Sequence, residues 1–130
     1  MTAAWSAASL TQGPPVLEVD AASRASVRVV APGVLPVILP AAAGKTGFLR
    51  ACAGAFALPA WFGGNWDALE ECLGDLDVPE GGLVVLWHGW RSFAAGSPSD
   101  YAIARDILAA AVLRWRDDGR RAVVLLPDAG

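Results

Sequence analysis

Between Ala51 and Trp90 the sequence contains no lysine and no arginine. The same segment carries six acidic residues, so its negative charge cannot be neutralised from within the segment. Because nucleic-acid phosphates are bound by cations, this acidic segment is unsuited to direct contact with DNA or RNA. The six acids are Asp67, Glu70, Glu71, Asp75, Asp77 and Glu80.

Cysteine and histidine are also scarce, with two cysteines and one histidine. Cys52 and Cys72 each fall on the apolar face of a predicted helix, which favours buried free thiols in a reducing compartment over a disulfide. His88 has no cysteine or acidic residue at ligand spacing, which favours a structural role over a general base. We therefore expect no metal ion and no cofactor.

Motifs of the common enzyme classes are missing. Gly-x-Ser-x-Gly, Cys-x-x-Cys and His-Glu-x-x-His do not occur, and Gly44-Lys45-Thr46 lacks the first glycine of a phosphate loop. No secretory signal is visible, and the most apolar run, residues 29–43, is interrupted by three prolines and too short to span a bilayer comfortably. We expect a cytoplasmic protein that is not an enzyme and does not enter a membrane.

The 130 residues fit one domain with a substantial core, because 55% of them are hydrophobic. Residues 1–33 are interpreted as an N-terminal extension, either an added hairpin or loosely related strands, and residues 34–130 as the main domain. Alternating strands and helices predict an α/β fold with a small, mostly parallel sheet. The predicted strands are residues 16–19, 27–30, 34–39, 83–87 and 122–126; the predicted helices are 45–57, 66–76 and 100–118, with a loop at 91–99.

The helix after Gly63 and Gly64 has one apolar side and one anionic side. Asn65 is suited to cap its N-terminus, and Asp67 in its first turn would meet the positive end of the helix dipole. Like charges one turn apart destabilise a helix by a few tenths of a kcal/mol per pair, so a basic partner is the expected reason for this pattern. Its apolar side comprises Leu69, Cys72, Leu73 and Leu76, and its anionic side Asp67, Glu70, Glu71 and Asp75.

Aromatic residues surround the start of this helix. Trp61 and Trp66 lie beside the acids, as in many interaction hot spots, whereas Phe62 is better suited to plug the core. Trp66 could serve either purpose. Trp87, Trp90 and Trp115 are interpreted as packing residues.

The motif Leu58-Pro-Ala-Trp-Phe-Gly-Gly-Asn-Trp-Asp-Ala-Leu-Glu-Glu-Cys-Leu73, preceded by Lys45-Thr-Gly-Phe-Leu49, resembles the barstar family of ribonuclease inhibitors over residues 34–126. The resemblance implies a three-stranded, mostly parallel sheet with three to four helices. It also implies an intracellular bacterial protein that blocks a barnase-like ribonuclease before export. The implied partner-binding residues are Trp61, Gly63, Gly64, Asn65, Trp66, Asp67, Glu70, Glu71 and Asp75, with Asp67 and Glu71 the central acids.

Three positions differ from the family's prototype. Glu71 is longer than the corresponding aspartate, Glu70 replaces a tryptophan, and Arg114 aligns with an acid of the last helix. The expected partner is therefore a basic ribonuclease with its own active-site arrangement, or a related toxin, bound by a protein that is monomeric when free. An immunity protein against a non-ribonuclease toxin is the alternative, and a small enzyme using Asp67 and Glu71 is the third hypothesis.

Overall fold

The structure, a computed structural model, describes residues 5–20, 27, 29–59 and 62–127. A single 3-10 turn, Ala7–Leu10, precedes the regular elements. The strands are β1 (Val16–Val19), β2 (Leu35–Leu39), β3 (Leu83–Trp87) and β4 (Ala122–Pro127), and the helices are α1 (Gly44–Ala55), α2 (Trp66–Gly74), α3 (Trp90–Gly96) and α4 (Pro98–Asp117).

The four strands form one parallel sheet in the order β1-β4-β3-β2. The α/β class and parallel pairing are confirmed, but the expectation of three strands is wrong because β1 adds a fourth beside β4. The interpretation of residues 16–19 and 27–30 as a hairpin is also wrong. Val16 pairs with Val124 instead, and Val27, Val29 and Val30 are helical.

The positions of the strands follow from their composition. Every residue of β3 and β4 is buried, as expected for central strands of a parallel sheet covered on both faces. β2 lies at one edge, which explains how it accommodates Pro36. The Leu35 N–H donates to Gly82 O at 2.9 Å and so points inward from the edge of the sheet. Because the backbone groups of successive residues in a strand point to opposite sides, those of Pro36 face the outer edge, where the missing N–H leaves no hydrogen bond of the sheet unmade.

Four helices cover one face of the sheet and form the larger core. The segment 91–99, expected to be a loop, contains most of α3 and the start of α4, with Pro98 in the first turn of α4. Phe48 of α1 is central, since its ring lies 5.1 Å from Trp87 and 5.4 Å from Phe93 between centroids. Trp87, Trp90 and Trp115 are buried, which confirms them as packing residues.

The opposite face of the sheet has its own core. Trp5, Leu10, Val27 and Ala31 from the N-terminal segment are buried there and form part of this core. Alternate residues of the central strands meet it from the sheet, namely Val84, Leu86, Val123 and Leu125.

Arg116 of α4 links the N-terminal segment to the rest of the chain. Its guanidinium donates to Ser9 O at 2.7 Å, Gly13 O at 2.8 Å and Ala122 O at 3.1 Å. Partial burial lowers the pKa of this guanidinium. The planar group suits this role because it can donate in several directions at once.

Candidate functional site

The start of α2 is fixed by its capping residues. Gly64 has φ +68°, a left-handed conformation that residues with a β-carbon rarely adopt. Asn65 follows with extended backbone angles, and its Oδ1 accepts a hydrogen bond from Ala68 N at 2.8 Å. The predicted N-cap is confirmed, and Asp67 lies in the first turn, where the helix dipole favours a negative charge.

The inner face of α2 is held firmly against the core. Leu69 and Leu73 are completely buried, and Cys72 is nearly so. At the far end of α2, Trp115 Nε1 donates to Leu73 O at 3.0 Å, a carbonyl of the last turn that also accepts from Leu76 N at 3.2 Å. The outer face of α2 is therefore presented by a well-anchored element.

The outer face of α2 carries four exposed carboxylates, Asp67, Glu70, Glu71 and Asp75, which we call the acidic ridge. Asp67, Glu71 and Asp75 are spaced four residues apart and follow one side of the helix. Among the described residues, no lysine or arginine forms an ion pair with a ridge carboxylate within 4.0 Å. The described part of the chain therefore leaves these charges to solvent.

Two cations lie near the ridge without pairing with it. Lys45 Nζ lies over the Trp66 ring, 5.7 Å from its centroid, at the start of α2. The exposed Arg114 packs against the C-terminal end of α2. Its guanidinium lies so close to Gly74 that a β-carbon at this position would be 2.5 Å from Arg114 Nη1. Arg114 and Glu70 also line a cavity of about 50 Å³ between α2 and α4, so Arg114 flanks the Glu70 side of the ridge.

The aromatic residues beside the ridge differ in their surroundings. Trp66 is half-buried, with its ring centroid 5.9 Å from that of Phe48, so it contributes to the core while keeping an exposed part. Phe62 is half-buried against the same core. Gly63 and Gly64 are exposed, and Trp61 lies outside the described residues.

A second feature near the ridge was not predicted from the sequence. Two separate cavities of about 210 and 240 Å³ share Phe56, Ala57, Leu76 and Asp77 and so adjoin each other; together we call them the lateral groove. Its position depends on Ala57, which has φ +51° and turns the chain sharply after α1. No local sequence signal marks a non-glycine residue in this conformation.

Neither cysteine near the site is chemically activated. No group of three or more potential metal ligands occurs among the described residues. Burial raises the pKa of Cys52 to about 12, and that of Cys72 is raised by burial and by the charges of Glu71 and Asp75. Both thiols are free and remain protonated at neutral pH, which is the opposite of an activated nucleophile. Within the described part of the chain, no helix is long and apolar enough to cross a membrane.

The chain is thus an α/β protein whose anchored helix α2 exposes a row of carboxylates without an ion pair to a described residue. The family model of barstar (barnase inhibitor) matches residues 34–127, most of the chain. The chain therefore belongs to the barstar family. The comparison with curated proteins gave no match.

Proposed function

We propose that this protein inhibits a basic, barnase-like ribonuclease by inserting the acidic ridge into the active-site cleft of that enzyme. The observation that carries the proposal is the exposure of all four ridge carboxylates on a helix capped by Asn65 and anchored by Leu69 and Leu73. The family of barnase inhibitors supports the same function.

The mechanism is occlusion of the phosphate-binding site. A ribonuclease must hold the phosphates of RNA with cationic groups, and carboxylates can form the same charge-assisted hydrogen bonds without offering a bond to cleave. Glu71, in the middle of the exposed row, is assigned the central contact, and Asp67 the contact nearest the helix start. Glu70 and Asp75 contribute beside them, while Gly63, Gly64 and Asn65 before α2 and Trp66 at its start adjoin the ridge. Trp61, outside the described residues, is assigned a partner contact on the family resemblance alone.

Arg114 bears on the choice of partner. Its exposed guanidinium flanks the Glu70 side of the ridge, so a partner with a cation at that position would be repelled. The proposed ribonuclease therefore presents a neutral or acidic group opposite Arg114. The same feature supports the second candidate, in which the protein neutralises a basic toxin of another kind inside the producing cell.

The test is inhibition of RNA cleavage by a panel of purified basic microbial ribonucleases, barnase included, with stoichiometric wild-type protein. Glu71→Gln should weaken inhibition of a susceptible enzyme by about 30-fold or more, since loss of one partner of a desolvated charge pair costs about 2–5 kcal/mol. That scale comes from charge pairs in protein complexes, barnase–barstar among them, and is not specific to this chain.

Asp106→Asn is the matched control, because Asp106 is an exposed acid on α4 outside the ridge. It should leave inhibition unchanged. Absence of inhibition across the panel would remove the ribonuclease proposal, and neutralisation of a basic toxin without ribonuclease activity would favour the second candidate. RNA cleavage or another activity of the isolated protein that Glu71→Gln abolishes would contradict both.

A further inference from the structure

The lateral groove lies beside the acidic ridge, on the flank of α2 that faces the end of α1. Phe56, Ala57 and Leu58 form one wall, and Cys72 and Leu76 of the α2 region form the other. The second cavity of the groove adjoins this one at Ala57 and is lined by Leu35, Pro79 and Leu83 at the start of the sheet. Arg114 lies against Gly74 on the opposite flank of α2, so the ridge separates this cation from the groove.

The size of the groove limits what it can hold. Its two cavities measure about 210 and 240 Å³, each smaller than the roughly 300–1,000 Å³ of pockets for drug-sized ligands. The lining is mainly apolar, and the neutral Cys72 thiol adds to that character. A space of this kind accommodates an apolar side chain or two from a polypeptide better than a cofactor.

Charge at the rim specifies the occupant further. Asp75 and Asp77 are both exposed at the edge of the groove, and Asp75 also belongs to the acidic ridge. Among the residues that the structure describes, no lysine or arginine lines either cavity. An apolar side chain entering the groove is therefore favoured when lysine or arginine stands next to it in its own chain, because these cations would meet the two rim carboxylates.

We propose that the lateral groove binds an apolar side chain flanked by lysine or arginine residues, supplied by the same basic protein that contacts the acidic ridge. The identity of this basic protein rests on the proposed function, in which the acidic ridge fills the phosphate site of the same partner. The groove supplies the buried apolar anchor that a charged ridge lacks, and well-packed anchors of this kind carry much of the binding energy of protein interfaces.

The experiment uses three capped tripeptides as probes, Lys-Leu-Lys, Lys-Gly-Lys and Glu-Leu-Glu, titrated into ¹⁵N-labelled full-length protein and followed by amide chemical shifts. Lys-Leu-Lys should give saturable shifts at Ala57, Leu58, Leu76 and Asp77. Lys-Gly-Lys, which lacks the anchor, and Glu-Leu-Glu, which reverses the charge, should not saturate these signals in the same concentration range.

The paired variants are Asp77→Lys, which reverses a rim charge at an exposed position, and Asp106→Lys, which makes the same change outside the groove. Asp77→Lys should weaken Lys-Leu-Lys binding by about threefold or more, on the scale of exposed charge pairs. Asp106→Lys should leave binding unchanged.

Equal shifts with Lys-Leu-Lys and Lys-Gly-Lys, or equal binding by the two variants, would overturn the proposal. Concentration-dependent shifts of the groove residues without peptide would overturn it in favour of a second copy of this chain. No ribonuclease enters the experiment, so its failure leaves the inhibition result standing and the two proposals are tested separately.

Discussion

The two faces of the sheet are covered by very different parts of the chain. The four helices on one face lie within residues 34–127, which match the barstar family, and they include the acidic ridge. The other face is covered mainly by side chains from Trp5 to Ala31, which precede that match. Since β3 and β4 are buried on both sides, both layers are needed to keep the central strands from water.

The largest effect is expected from deleting residues 1–33. The deletion would expose Val84, Leu86, Val123 and Leu125, and burial of each such side chain stabilises the fold by about 1.5–3 kcal/mol. Their sum approaches the whole stability of a typical domain, about 5–15 kcal/mol. We expect a protein that lacks a cooperative thermal transition by circular dichroism. A monomeric, cooperatively folding product would show that the helical face is sufficient.

A single substitution on each face makes the comparison quantitative. Leu10 and Leu69 both have 0% exposure, Leu10 in the N-terminal layer and Leu69 on the inner side of α2. Leu→Ala at such positions costs about 2–5 kcal/mol through lost burial and the cavity that remains. We expect both variants to fall in this range in urea unfolding monitored by tryptophan fluorescence.

If Leu10→Ala costs much less than Leu69→Ala, the N-terminal layer opens independently of the helical face. If both variants retain one coincident transition by fluorescence and circular dichroism, the two layers unfold together. Leu10→Ala should in either case leave the acidic ridge unchanged, because Leu10 packs on the opposite side of the sheet.

The contrast also separates what the sequence predicted from what it did not. The start of α2, its cap and its anionic face were predictable because Asn65, Asp67 and the spacing of Leu69 and Leu73 are local signals. The partnership of β1 with β4 was not, since pairing of strands distant in sequence leaves no local trace.

The lateral groove escaped prediction for a related reason. It depends on the left-handed turn at Ala57 and on the approach of α1 and α2 from separate parts of the chain. The short helix α3 was missed because its glycine and serine favour a loop, whereas the burial of Trp90 and Phe93 stabilises a helix.

A moderate effect is expected at Arg116, which joins the two faces. Arg116→Lys removes the planar group that donates to Ser9, Gly13 and Ala122, and an ammonium cannot reach all three carbonyls in the same geometry. We expect a loss of about 1–3 kcal/mol in the free energy of unfolding, the scale of hydrogen bonds to charged groups.

Arg120→Lys is the control for this measurement, because Arg120 is exposed and has no hydrogen bond from its guanidinium to a described residue. It should change stability by no more than a few tenths of a kcal/mol. Equal effects of the two substitutions would mean that the Arg116 contacts contribute nothing beyond a surface charge.

The smallest effect, and one of opposite sign, is expected on the ridge. Glu71 lies four residues from both Asp67 and Asp75, and like charges at this spacing destabilise a helix by a few tenths of a kcal/mol per pair. Because glutamine and glutamate have similar helix propensities, Glu71→Gln should raise the urea midpoint slightly at low salt. The gain should shrink at 1 M NaCl, where the Debye length falls to about 3 Å.

The control is Glu80→Gln, at an exposed acid beyond α2, which should show no such gain in stability. A loss of stability in Glu71→Gln would mean that Glu71 supports the fold. An exposed residue whose charge weakens its own helix is best explained by a contact made outside the chain.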